Sequence, residues 1–330
     1  GWPDHMLRVF RSDRDDPLVE IRPEGDLPPG TVWIDMRDPD KDEEAFVEAH
    51  TGIQVPTREE MAEIETSSRL YIEDGAIYMT ATLAAGIINE NPETHAVSFV
   101  LTDRHLITVR YAELKSFERF SGHAERSPLL CESPAKALVH LLEAVVDRLA
   151  DGIEHVGREV DAISRQTFRR ARGSTGLQRV SNLALQSLLV RLGSTQDALS
   201  KAREACASLT RMLGFLAFAV PRDVQVGPEV KTLQRDIASI ADHADYLGSN
   251  IAFLLEATLG LISIEQNSVL KIFSVSAIVF MPPTLIAGIY GMNFEHMPEL
   301  KWLVGYPFAL GLMLLSAIVP FLFFRWRGWL

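Results

Sequence analysis

The sequence predicts an α/β N-terminal cytoplasmic domain, a stalk of long helices and a two-helix transmembrane hairpin at the C-terminus. Three observations carry this. Two late segments, Ile272 to Tyr290 and Trp302 to Phe324, run 19 and 23 residues without a formal charge, close to the roughly 20 residues that a helix needs to cross a bilayer. Charges crowd the chain ahead of Lys271, whereas the 59 residues after it hold only Glu295, Glu299, Lys301, Arg325 and Arg327. Upstream of Tyr111, short β-branched or alternating runs mix with helical patterns, and beyond Ser133 the pattern is helical throughout.

Taken in order, Thr31–Met36, Ala76–Thr82, Ala96–Leu101 and His105–Arg110 are bounded by Gly, Pro, Asp and Asn and read as strands. Asp42–His50 and Thr57–Glu65 carry helix-start residues and helical spacing. Thr102 to His105 reads as a hairpin turn, so part of the sheet is expected to be antiparallel. Ser133-Pro134 opens a helix with proline in its first turn. Leu138, Leu141, Leu142, Val145, Val146, Leu149, Ile153, Val156, Val160 and Ile163 then recur at helical spacing. The break from Gly173 to Gly176 precedes a second helix over Leu177–Phe218, and Pro221 with Gly227-Pro228 turns the chain into a third. That helix starts near Glu229 and meets no strong breaker before Pro282, so the stalk is expected to run unbroken into the apolar segment. About 40 residues of it below the membrane would span roughly 60 Å. The expected domains are a cytoplasmic α/β domain over 1–132, long helices over 133–268 and the hairpin over 269–330.

The net charge of −12 argues against a phosphate-binding surface and against nucleic acid as a partner, and it fits a body that handles cations. Cys131 and Cys206 are the only cysteines and have no thiolate-site spacing, which suits a reducing cytosol. The first residues lack the apolar core of a signal peptide, so the body is expected to stay where it is made. Arg325 and Arg327, directly after the second segment, then place both ends in the cytoplasm and the loop outside, as for a multi-pass protein of the inner cell membrane.

The boundary between the apolar segments is polar without being charged. Gly291-Met292-Asn293 offers a carboxamide and backbone carbonyl oxygens. Mg²⁺ gives up its six waters reluctantly, so a ring of neutral oxygens that accepts hydrogen bonds from those waters suits it. One hairpin cannot enclose a water-filled path, and several copies around an axis would each contribute one helix. The first segment is the better lining, because Ser274, Ser276, Ala277, Thr284, Ala287 and Gly288 are small or polar and Met281 can close a narrow neck. The second, with Trp302, Tyr306, Trp326 and Trp329 at its ends, reads as lipid-facing. Asn267 offers a polar ring at the inner end with Phe273 as an apolar gate, and Glu295 and Glu299 in the outer loop would concentrate cations.

Tyr290-Gly291-Met292-Asn293-Phe294-Glu295, Met297-Pro298-Glu299-Leu300, Trp302, Gly305-Tyr306-Pro307 and the basic-aromatic Arg325 to Leu330 closely resemble the CorA family of magnesium transporters. Pro56 to Glu65 followed by Ser67-Ser68-Arg69-Leu70-Tyr71 resembles the family's cytoplasmic domain. The resemblance implies a homopentameric funnel in the membrane, with Gly291, Met292 and Asn293 as the selectivity ring and Asn267, Met281 and Thr284 on pore-lining positions. It implies transported Mg²⁺, with Co²⁺ and Ni²⁺ also accepted, and no cofactor. Phe273 stands where the family pattern has Leu, and Thr232 stands where some members carry a regulatory aspartate, which weakens the case for gating by intracellular metal.

Within the family, the zinc-transporting ZntB branch is the rival; Met292 and Phe294-Glu295 favour the magnesium branch, whereas Thr232 leans the other way. Asp242-His243 with Asp245, and His140, Glu143 and Asp147, have metal-compatible spacing but read better as solvated helix faces. No phosphate-binding glycine loop, nucleophile elbow or zinc-protease helix is present, so neither an enzyme nor an ATP-driven pump is expected. A membrane-anchored sensor or scaffold would leave the uncharged polar mouth unexplained.

Overall fold

The computed structural model describes residues 6–11, 18–21, 25–89, 91–173, 182–220, 226–292, 297–298 and 302–327. The chain divides into two compact units, one of Gly1–Gln166 with Leu188–Leu255 and one of Thr167–Ser187 with Glu256–Leu330.

The first unit is built on a sheet of seven described strands: β1 (Met6–Arg11), β2 (Leu18–Ile21), β3 (Thr31–Arg37), β4 (Leu70–Glu73), β5 (Ala76–Ala85), β6 (Glu93–Leu101) and β7 (Leu106–Arg110). Their order is β2-β1-β3-β7-β6-β5-β4. All neighbours pair antiparallel except β3 and β7, which run parallel with Trp33 opposite Leu106 and Arg37 opposite Arg110. The turn at Thr102 closes as expected, with its N–H donating to the His105 carbonyl at 2.9 Å. Three strands exceed the sequence expectation. β1, β2 and β4 are short, and β2 and β4 lie at the sheet edges, where only one side needs a partner.

Local signals set the helix starts. Asp40 caps α1 (Lys41–Thr51) by accepting from the backbone N–H groups of Asp42 and Glu43 at 2.9 and 2.8 Å, while Glu43 reaches back to the Asp40 N–H at 3.2 Å. Gly52, at φ 72°, ends it. Thr57 and Glu60 form the same reciprocal box ahead of α2, yet this helix stops at Met61 (Arg58–Met61) instead of reaching Glu65. Met61 is its only buried residue and Ile64 is 91% exposed, so no apolar stripe rewards another turn. A single turn, α3 (Thr66–Arg69), leads into β4, and α4 (Lys115–Ala124), not anticipated from sequence, follows β7.

Alternation along β3 and β7 sends side chains to both faces of the sheet, and both are covered. Ile34, Met36, Ile107 and Val109 join Phe46 and Val47 of α1 and Met61 in one apolar core. On the other face, Trp33 stacks on Phe10 at 4.1 Å and meets Phe120 of α4 at 5.1 Å. Each fully buried side chain of this size contributes about 1.5–3 kcal/mol from removing apolar surface from water.

Three long helices follow, each with part of its length in this unit. They are α5 (Pro134–Gly173), α6 (Asn182–Ala219) and α7 (Gly227–Tyr290). Ser133 caps α5 as expected, accepting from the Lys136 N–H at 3.3 Å. All ten α5 positions picked out by spacing, Leu138 to Ile163, are buried. The expected start of the second helix at Leu177 lies outside the described residues. In α7, Val230, Ile237, Ala244 and Ile251, interleaved with Leu233, Leu247 and Leu254, are buried. This repeat of seven is that of a helix keeping one seam against its neighbours. Gly157 of α5 faces Leu247 of α7, and a Cβ there would meet its methyl groups at 3.8 Å, an ordinary packing contact. The sheet and α6 are joined where the Thr82 N–H donates to Ser208 Oγ at 2.8 Å.

In the second unit the remainder of α7 and α8 (Gly305–Trp326) are both long and apolar enough to cross a membrane. α8 starts three residues later than the sequence segment suggested. Pro307 falls in the first turn, where its missing N–H costs no helix bond, and Trp302 to Val304 form the lead-in, with the Gly305 N–H donating to the Trp302 carbonyl at 3.1 Å. Further along, α8 continues through Pro320 and α7 through Pro282 and Pro283.

Candidate functional site

Each apolar helix is shielded along one stripe only. On α7 this comprises buried Val275 and half-buried Val279, Pro282, Pro283, Ile286 and Tyr290; on α8 it comprises Gly305, Ala309, Met313, Ser316, Ala317, Pro320 and Phe324. Spacings of three and four make each stripe a single helix face, the pattern of a helical hairpin. The exposed side of α7 carries the residues that sequence reasoning singled out. At about 100° per residue, Asn267, Ser274, Met281 and Gly288 recur every seven positions within a narrow sector, with Ala277 and Thr284 beside them. All six are exposed, Met281 to 68%. Phe273, 70% exposed, sits about 100° around the helix from Ser274 and so flanks this face. Leu270, 61% exposed, lies within the face between Asn267 and Ser274 and was missed. Its signal was present, because it falls on the same alternation of three and four, but a leucine in an apolar run attracts no notice.

The polar mouth follows directly on the helix end. The Gly291 N–H donates to the Ala287 carbonyl at 2.9 Å and the Met292 N–H to the Ile289 carbonyl at 3.2 Å, so the ladder persists to the mouth. A Cβ on Gly291 would stand 3.1 Å from the Ala287 carbonyl oxygen, a reason for glycine at this close backbone approach. Asn293, Glu295 and Glu299 lie outside the described residues. Thr284 Oγ donates to the Phe280 carbonyl at 2.8 Å, leaving its lone pairs outward on the exposed face.

The body's charged clusters pair off locally. Asp245 meets Arg203 at 2.6 Å, His243 lies against Tyr246 with ring centres 6.1 Å apart, and His140 Nδ1 meets Glu143 at 2.9 Å. Thr232 turns its hydroxyl to the Pro228 carbonyl of its own helix at 3.1 Å. Among the described residues no group of three or more His, Cys, Asp or Glu is placed to hold a metal ion. Burial pushes the thiols of Cys131 and Cys206 up to about 12 and about 11, which makes both inert.

One buried polar cluster was not legible in the sequence. Arg110 of β7 grips Asp35 of β3 through Nε to Oδ1 at 3.1 Å and Nη2 to Oδ2 at 2.8 Å, with side chains only 2% and 3% exposed. Thr108 Oγ donates to Asp35 Oδ1 at 2.8 Å, Trp33 Nε1 donates to Thr108 Oγ at 3.0 Å, and the guanidinium lies 4.9 Å from the Phe117 ring centre. Each buried polar atom of the cluster has a hydrogen-bond partner, Arg110 Nη1 on the Ala112 carbonyl at 2.7 Å included, so the cluster locks the parallel pair of β3 and β7.

Fold and exposed face together define a membrane protein with two spans and a large α/β body. The family model described as CorA-like Mg2+ transporter protein matches residues 29–326, and the chain belongs to this family. The magnesium transport protein CorA of Escherichia coli K12 is 32% identical over 326 residues, which cover 98% of this chain and 100% of that protein. A structure of the CorA magnesium transporter from Methanocaldococcus jannaschii superposes with a TM-score of 0.76 at 16% identity, covering 99% of this chain and 98% of that one. The ZntB cytoplasmic domain from Vibrio parahaemolyticus superposes with a TM-score of 0.54 at 12% identity over 78% of this chain and 97% of that domain. The two structures share the fold.

Proposed function

We propose that this chain is a transporter of divalent cations, Mg²⁺ foremost, that conducts the hydrated ion through a homopentameric pore lined by α7. The observation that carries the reading is the exposed face of α7, where Asn267, Ser274, Met281 and Gly288 recur every seven residues, the last three within the charge-free segment that ends at the Gly291-Met292 turn. The 32% identity to an E. coli magnesium transport protein over its whole length supports the choice of ion.

In this reading Gly291, Met292 and Asn293 form the outer selectivity ring, which accepts hydrogen bonds from the ion's waters without stripping them. Ser274, Met281 and Thr284 line the path, and Asn267 with Phe273 forms its inner end and gate, joined by Leu270. Glu295 and Glu299 raise the local cation concentration at the mouth. Residues 1–132 and 133–268 are the cytoplasmic domain and helices, and 269–330 the hairpin, with both termini in the cytoplasm and the inner membrane as the site of action. The membrane potential drives entry, contributing about 4.6 kcal/mol per 100 mV for a doubly charged ion. The protein moves its substrate and catalyses no reaction on it.

Uptake into proteoliposomes tests the reading. Mg²⁺ enters vesicles with wild-type protein, and Asn293→Ala loses most of that uptake or its discrimination between Mg²⁺ and Ca²⁺. Failure of the wild-type protein to pass Mg²⁺, or unchanged selectivity in Asn293→Ala, overturns it; Zn²⁺ uptake dependent on a pH gradient in place of Mg²⁺ would assign the zinc branch.

A further inference from the structure

Pro282 and Pro283 stand together inside α7, within its charge-free segment. Proline has no N–H, so the carbonyls four residues earlier, those of Ile278 and Val279, lose the donors that a helix normally supplies. The next carbonyl is in the opposite state: Phe280 accepts from Thr284 Oγ at 2.8 Å.

The two residues that carry these carbonyls lie about 100° apart around the helix and differ in exposure. Val279 is half-buried on the shielded stripe, together with both prolines. Ile278 is 45% exposed and lies about 40° around the axis from Ser274 and about 20° from Leu285, on the side of the exposed face. A backbone carbonyl at bilayer depth must be met by protein or by water, since lipid offers no donor. On the exposed side of a pore-lining helix, water and what it carries are the available donors.

We propose that the Ile278 carbonyl is a further acceptor in the ion path, repeated around the axis by each copy of the chain, and that it hydrogen-bonds to the waters of a hydrated divalent cation about 4.5 Å inward of Met281 along α7. This rests on the pore reading above. Waters bound to a divalent ion are strong donors, and a neutral carbonyl accepts from them without competing for the metal, the same chemistry as the carbonyls at the mouth. Pro282 keeps that oxygen out of the helix ladder. An alanine there would return an N–H to it and withdraw it from the path.

Mg²⁺ uptake by full-length protein in vesicles, measured over a range of Mg²⁺ concentrations, tests this with paired variants. Pro282→Ala raises the half-saturating Mg²⁺ concentration about five- to tenfold, the effect of one modest hydrogen bond per site. Pro283→Ala, which re-satisfies only the Val279 carbonyl on the shielded side, stays within about twofold of wild type. Replacing Val279 by its α-hydroxy acid turns the Ile278 amide into an ester with a weaker carbonyl acceptor and reproduces the Pro282→Ala shift with both prolines in place. The same exchange at Phe280, which weakens the Val279 carbonyl, does not. Unchanged saturation in Pro282→Ala, or equal shifts in the two alanine variants, overturns the proposal, the second outcome because it makes helix shape the cause. Absence of wild-type uptake would instead strike the pore reading itself.

Discussion

Replacing Arg110 by methionine would expose how the sheet of the body is held. Asp35 and Arg110 are joined by two charge-assisted bonds of 2.8 and 3.1 Å at side chains 3% and 2% exposed. Methionine roughly fills the stem's volume and leaves the Asp35 carboxylate with the Thr108 hydroxyl, 2.8 Å away, as its side-chain donor. Stranding one member of such a buried pair costs about 3–5 kcal/mol. In amide hydrogen exchange on the full-length protein in detergent, protection in β3 and β7 should fall by roughly two to three and a half powers of ten. Exchanging both partners for apolar residues, Asp35→Leu with Arg110→Met, should recover most of the loss, because no charge is left without a partner. A cost below about 1 kcal/mol for Arg110→Met, or a double variant as damaged as the single one, would show that the pair does not hold the strands in this way.

Three further outcomes are expected. Gly86→Ala should destabilise by about 2–4 kcal/mol, since a Cβ at this φ of 70° would fall 1.8 Å from the Asn91 carbonyl oxygen, whereas Gly75→Ala, at φ 81° with nothing within 4 Å, should cost about 1–2 kcal/mol in the same denaturation experiment. Equal losses would show that the close contact is relieved. With thiols raised to about 12 and about 11, Cys131 and Cys206 should react with maleimide at neutral pH only after unfolding, and fast labelling of the native protein would contradict their burial. Burial holds His105 below its ordinary value near 6.5, outweighing the contact of its Nδ1 with the Thr31 carbonyl at 3.0 Å. The folded state therefore resists protonation: stability is fully present above about pH 6.5 and falls as pH drops from there through the lowered folded value. His105→Gln should melt with a flatter pH profile over that window, and an unchanged slope would assign it to other groups.

Much of the exposed face of α7 was legible because it is one continuous helix. Asn267, Ser274, Met281 and Gly288 need only helical periodicity to share a side, and freedom from charge over 19 residues marks the span. Leu270 shares that side equally but looks like any other apolar residue of the segment. Thr57 and Glu60 announced a helix start correctly, yet the length of α2 depended on whether a core lay beneath residues after Met61, and Ile64 found none.

The sequence by itself determined the long helices, the two apolar spans and the uncharged polar mouth, because each is written in residues close together along the chain. Tertiary structure alone decided the parallel pairing of β3 with β7, the Asp35–Arg110 lock 75 residues apart, and the side of α7 left open opposite its shielded stripe. Those features depend on which distant surfaces meet, and local periodicity carries no record of that choice.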